Sequence, residues 1–137
     1  MAEWLFKEEP DHYSFADLEK DGETIWDGVT NALARIHLRK VKKGDVIWYY
    51  HTGKEKAIVG LAKAVSDAFS DPKSDDPKAV ALKVKPVRRL KQPIPLERIK
   101  SEQLLASWEL VRISRLSVMP VNPAQSRRLK ALEREEG

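Results

Sequence analysis

Short apolar runs alternate with polar turns along the chain, and the period of each run predicts an element. Trp4-Leu5-Phe6-Lys7 is an aromatic run closed by Glu8-Glu9-Pro10-Asp11. The residue before a proline is driven out of helical geometry, so this reads as a strand that ends at a turn and delivers Lys7 and Glu8 to its own end. Val46 to His51 is apolar or aromatic at nearly every position, as a strand covered on both faces requires. After the turn Thr52-Gly53-Lys54, Ala57 to Val65 reads as its antiparallel partner, with Gly60 marking a close approach or a bend. From Ala79 to Leu90, Val80, Leu82 and Val84 alternate with Ala81, Lys83 and Lys85, a half-exposed strand bent or bulged at Pro86. Leu110 to Ile113 and Leu116 to Met119 are short strand candidates.

Helical signals flank these strands. Ser14 with Asp17 is a capping pair, Phe15 and Leu18 share one face, and Asp21-Gly22 is a stop. A second helix is expected from Asn31, with Leu33, Ile36 and Val41 inward and Arg35, Arg39 and Lys42 outward. Leu96 to Lys100 and Gln103 to Ala106 read as short helical connectors after Pro93 and Pro95. Asn122, Pro123 and Gln125 supply a cap, a first-turn proline and a capping-box partner for a last helix carrying Leu129 and Leu132. The pattern is α+β, one domain over residues 1–137, with short helices decorating a closed or strongly curved sheet.

Composition narrows the function. There is no cysteine and only His12, His37 and His51 as histidines, so neither a disulfide framework nor a metal site is expected. No cofactor is expected either. The start lacks the basic and apolar regions of a secretion signal, and no run approaches the ~20 apolar residues of a membrane span, so no membrane contact and a cytosolic location are expected. Lys plus Arg exceed Asp plus Glu by 25 − 21 = 4, and the cations cluster at residues 35–43, at residues 83–91 and around Arg112 and Arg115. Glu133, Glu135 and Glu136 crowd the C-terminus. Basic clusters together with four tryptophans suit phosphate contact and base stacking, although solvated charged faces give the same pattern.

Five motifs in register carry a resemblance: Trp4 to Asp11; Trp26-Asp27-Gly28-Val29 with Asn31; Gly44-Asp45 before Tyr50-His51; Val59-Gly60-Leu61-Ala62; and Leu110-Val111-Arg112 with Ser114 to Val121. Together they resemble the EVE domain, a PUA-like family akin to the YTH readers of methylated adenine. The resemblance implies a small, strongly curved, mostly antiparallel β-barrel decorated by short helices. It also implies a non-catalytic, monomeric module that binds a modified base, flipped out of DNA or RNA, in an aromatic pocket. Two departures touch that pocket: Glu8 stands where the family has serine, and Thr30-Asn31-Ala32-Leu33 replaces Arg-Asn-Tyr-Gln.

The ligand-binding set expected on these grounds is Lys7, Glu8, Trp26, Asp27, Asn31, Tyr50, His51, Arg115 and Ser117. Trp26 is the expected stacking platform, since an indole can cover one face of an extruded base. A tryptophan before Asp-Gly serves equally as a core anchor. Asn31 can pair with a base edge or cap its helix, and Glu8 can accept an exocyclic amino group or face solvent. Tyr49 and Tyr50 project to opposite faces, with His51 on the face of Tyr49. Arg115 is expected to bond phosphate or buttress the pocket, while Arg35, Arg39, Lys42 and Lys43 are expected to hold the nucleic-acid backbone. The competing function is an ASCH-like amidohydrolase acting on an acylated nucleoside through Lys7 and Glu8. Adjacent strand residues face opposite ways, which counts against that pair.

Overall fold

The computed structural model describes residues 1–135; Glu136 of the C-terminal acidic group lies outside the described residues. The strands are β1 (Glu3–Glu8), β2 (Thr24–Trp26), β3 (Val46–His51), β4 (Ala57–Ala64), β5 (Phe69–Ser70), β6 (Val80–Pro95) and β7 (Val118–Val121). They form one mixed sheet in the order β2-β6-β4-β3-β1-β7, with β5 paired to β6. Among the described residues, only β1 and β3 run parallel; the other pairings are antiparallel. The long β6 slips register against β4 between Ile58 and Gly60 and again between Leu61 and Ala62, and such irregularities sharpen the local twist. The result is a strongly curved, PUA-like half-barrel.

The helices are α1 (Pro10–Tyr13), α2 (Phe15–Asp21), α3 (Ala32–Arg39), α4 (Leu96–Ser101), α5 (Glu109–Arg112) and α6 (Pro123–Arg134). Both expected capping boxes form, Ser14 with Asp17 on α2 and Asn122 with Gln125 on α6. The expected close approach at Gly60 is against α2: a Cβ there would lie 2.6 Å from the Phe15 ring. Helix α3 packs against β7 and β6. Since β7 is one edge of the sheet and β6 adjoins the other, α3 spans the open side of the curl.

Several expectations fail for identifiable reasons. Leu33 and Ile36 point outward, 39% and 46% exposed, while Ala34, Leu38 and Val41 are buried. The inward stripe is the one at i, i+4, i+7; the stripe begun by Leu33 and Ile36 continues into His37 and Lys40 and is not sustained. Leu110 to Ile113 is the helical turn α5 rather than a strand, because the buried Trp108, whose indole donates to Pro120 O, starts a helical turn with Val111 N bonded to its own carbonyl. Gln103 to Ala106 forms turns. Strand β6 runs through Pro93 to Pro95, since a proline removes only its own donor and the buried Ile94 stays paired with Ile58.

Candidate nucleic-acid interface

Parallel pairing brings the C-terminal ends of β1 and β3 to the same end of the sheet, Lys7 beside Tyr50 and Glu8 beside His51. Strand alternation then divides the expected pocket between two faces. Phe6, Glu8, Tyr49 and His51 share the face met by Trp26, whose ring lies 5.2 Å from Phe6 and 5.5 Å from Tyr49, the latter edge-on at 87°. Phe15 and His51 also meet Tyr49 edge-on, at 5.5 and 5.7 Å. Trp26 is 6% exposed, so its ring is held in an aromatic cluster rather than offered as an open platform. Tyr49 donates its hydroxyl to Tyr13 O at 2.6 Å, and burial pushes its phenol far above the ordinary value.

Tyr50 and Lys7 lie on the other face, where the Lys7 ammonium sits 5.9 Å from the Tyr50 ring centroid and donates to Ser114 O at 2.8 Å. Burial raises the Tyr50 phenol to about 12 and lowers the Lys7 amine from its usual range. The Lys7 amide donates to Ser117 O at 2.9 Å. The segment from Ser114 to Ser117 is therefore tied to the end of β1, with Arg115 exposed between its anchors.

Two expected ligand groups make bonds within the fold. His51 is buried; its Nε2 accepts the Phe15 amide at 3.0 Å, and its Nδ1 is 2.7 Å from Glu55 Oε1. An accepting Nε2 places the ring proton on Nδ1, donated to Glu55. His51 thus fixes the start of α2, and neither ring nitrogen remains for a ligand edge. Glu8 accepts the Glu9 amide at 2.9 Å and lies 3.2 Å from His12 Nδ1. Through Oε1 its carboxylate serves the turn into α1.

The segment linking β2 to α3 is arranged differently. Asp27, Thr30 and Asn31 are exposed, and Gly28 takes φ +74°, a left-handed turn conformation. Asn31 caps α3, its Oδ1 accepting the Ala34 amide at 2.9 Å, while its amide NH₂ is a donor beyond the cap. Val29 O accepts from Arg35 Nε at 2.7 Å, and Arg35 also pairs with Asp76 at 2.8 Å. Arg39 donates to Lys78 O at 2.7 Å. These two arginines, expected on phosphates, instead tie α3 to residues 71–79. Lys42 and Lys43 are exposed, with their backbone amides anchored on Asp45 and Asp67. The buried Asp45 also accepts the Trp4 indole at 2.9 Å.

Phe6, Tyr13, Phe15 and Glu55 lie outside the ligand-binding set expected from the sequence, and the structure brings them against it. The parity of Tyr49 with His51 was the available signal for the aromatic cluster. Clefts of about 430 and 330 Å³ lie elsewhere, the first between the N-terminus and α6, the second beside Pro93 and Arg98. Among the described residues no group of three His, Asp or Glu side chains is placed to hold a metal, and no helix is long and apolar enough to cross a membrane.

Comparison with known proteins supplies the wider frame. The family described as EVE domain matches residues 2–132. Thymocyte nuclear protein 1 of Mus musculus is 33% identical, covering 97% of this chain and 74% of its own length. The crystal structure of human THYN1 protein in complex with DNA containing 5-methylcytosine superposes with a TM-score of 0.92 at 32% identity, over 100% of both chains. An NMR structure of Rpa0253 from Rhodopseudomonas palustris superposes with a TM-score of 0.92 at 34% identity, covering 99% of this chain and 97% of that one. The ASCH protein of Zymomonas mobilis, at 15% identity and a TM-score of 0.63, shares the fold alone. The cytosolic location expected from the N-terminus is overturned, because the curated relatives of mouse, human and chicken are named as nuclear proteins.

Proposed function

The chain belongs to the EVE domain family, and from that premise we propose that it is a non-catalytic module that binds DNA carrying a modified base. The observation that carries this reading is the end-to-end match to a relative solved on 5-methylcytosine DNA. The local geometry supplies candidate parts. In this reading the base enters against the Trp26 edge of the aromatic cluster, beside the exposed residues Asp27 and Asn31. Asp27 accepts the exocyclic N4 amino group of cytosine, the role that acidic side chains play toward that base. The Asn31 amide donates to an acceptor on the base edge. Arg115, with Ser117 and Lys7 anchored beside it, meets the phosphates flanking the base, and Lys42 and Lys43 meet the backbone farther along.

The amidohydrolase reading draws on the lowered amine of Lys7. The same amine is bonded to Ser114 O, and Glu8 lies on the opposite face and is engaged with Glu9 and His12. The two groups are not placed to act on one bond, and an N4-acylated cytidine incubated with the protein is expected to remain intact.

Titration of the protein with a 5-methylcytosine duplex, followed by amide chemical shifts, tests the site. The reading expects the largest shifts over residues 26–31, with smaller ones at Lys7 and Ser117. Shifts confined to α6 and the end of β6 would remove this site from consideration.

A further inference from the structure

Two large aliphatic side chains on α3 are turned partly to water. Leu33 is 39% exposed and Ile36 46%; one turn apart, they form an apolar ridge on the first half of the helix. The ridge starts two residues after Asn31 and so continues the exposed segment that follows Trp26. Farther along come Lys40, Lys42 and Lys43, all exposed. An apolar tip with a basic tail complements one surface in particular: a base stack framed by phosphates. Leucine and isoleucine are among the side chains that wedge between base steps and unstack them. A protein that draws a base out of a duplex leaves behind a gap whose closure would expel the base.

Resting on the reading of the chain as a modified-base binder, we propose that Leu33 and Ile36 are the wedge that enters the duplex beside the extruded base, while the cations that follow them sit on the flanking phosphates. A partner protein would be an alternative occupant of an apolar ridge. The three lysines close behind it, Lys40, Lys42 and Lys43, favour a polyanion instead.

The test compares wild type with the Leu33→Ser/Ile36→Ser double variant, whose folding is checked by thermal melting; both positions are exposed, so the melting temperature is expected to hold. The probes are a duplex with one central 5-methylcytosine, a single strand of the same sequence, and a duplex with 2-aminopurine next to the modified base. The wedge offsets the cost of unstacking, so losing it is expected to weaken duplex binding about tenfold or more. Single-strand binding should be unchanged, and the 2-aminopurine fluorescence rise seen with wild type should disappear. Equal duplex affinity and equal fluorescence for the two proteins would overturn the wedge while leaving modified-base binding intact. A wild type with no preference for 5-methylcytosine in either strand form would instead defeat the parent reading, and the wedge with it. Wild-type self-association abolished by the double variant, with DNA binding unaltered, would assign the ridge to a second copy of the chain and refute the proposal.

Discussion

At Gly60 a single hydrogen decides how closely α2 can lie on the sheet. Any Cβ there would be driven to 2.6 Å from the Phe15 ring, and Phe15 is locked in turn by Tyr49 and by the bond from its amide to His51. Gly60→Ala is therefore an overpacking substitution, expected to cost about 1–3 kcal/mol and readable as a lower midpoint in urea. Glu133 shows how a charge contributes. Only 5% exposed, it accepts two bonds from Arg88 at 2.6 and 3.0 Å and the Lys91 amide at 2.8 Å. The Arg88 bonds lower its pKa. A carboxyl depressed in the folded state stabilises above its unfolded pKa of about 4.3, and that contribution is lost as pH falls through the folded value. Arg88 is 47% exposed, which screens the pair, so Glu133→Gln is expected to cost about 1–3 kcal/mol at neutral pH. The variant and wild-type melting curves should converge in acid; a gap that persists undiminished at low pH would contradict the assignment.

Among the elements, those fixed by neighbours in sequence were legible in the sequence. The caps Ser14 and Asn122 and their partners Asp17 and Gln125 announce α2 and α6 because a capping box closes within four residues. Ser14→Ala is expected to remove about 1 kcal/mol from thermal stability. The face of α3 was misread because Leu33 and Ile36 open a plausible stripe, and only docking against β6 and β7 selects Ala34, Leu38 and Val41 instead. Leu110 to Ile113 was too short for its period to decide between helix and strand; Trp108 settled it from outside the segment. In the candidate site, strand parity gave the separation of Lys7 from Glu8 and the pairing of His51 with Tyr49. It could not show that His51 spends both nitrogens on α2 and Glu55, or that Arg35 and Arg39 bind residues 71–79, because those partners are distant in sequence.

For the molecule as a whole, the curl of the sheet leaves one open side. Across it run the segment after Trp26 and helix α3, so the exposed Asp27–Asn31 turn, the aliphatic ridge and the cations behind it fall along one path. Arg35 and Arg39 are engaged with residues 71–79, so in the proposed reading the phosphate contacts on this path are assigned to Lys42 and Lys43. Each phosphate contact contributes about −0.9 to the slope of log affinity against log salt on duplex DNA, so Lys42→Ala is expected to flatten that slope by about one contact without altering base preference. An unchanged slope would place the backbone elsewhere. A methyl group removed from water is worth about 0.8 kcal/mol, which corresponds to about a fourfold preference. Equilibrium anisotropy titrations of the wild-type protein against two duplexes, identical except for one 5-methylcytosine and held at one salt concentration, measure that ratio directly. Tighter binding to the methylated duplex by about fourfold or more is expected, with the difference lost in Trp26→Phe; equal affinities for the two duplexes would rule out methyl recognition in this pocket.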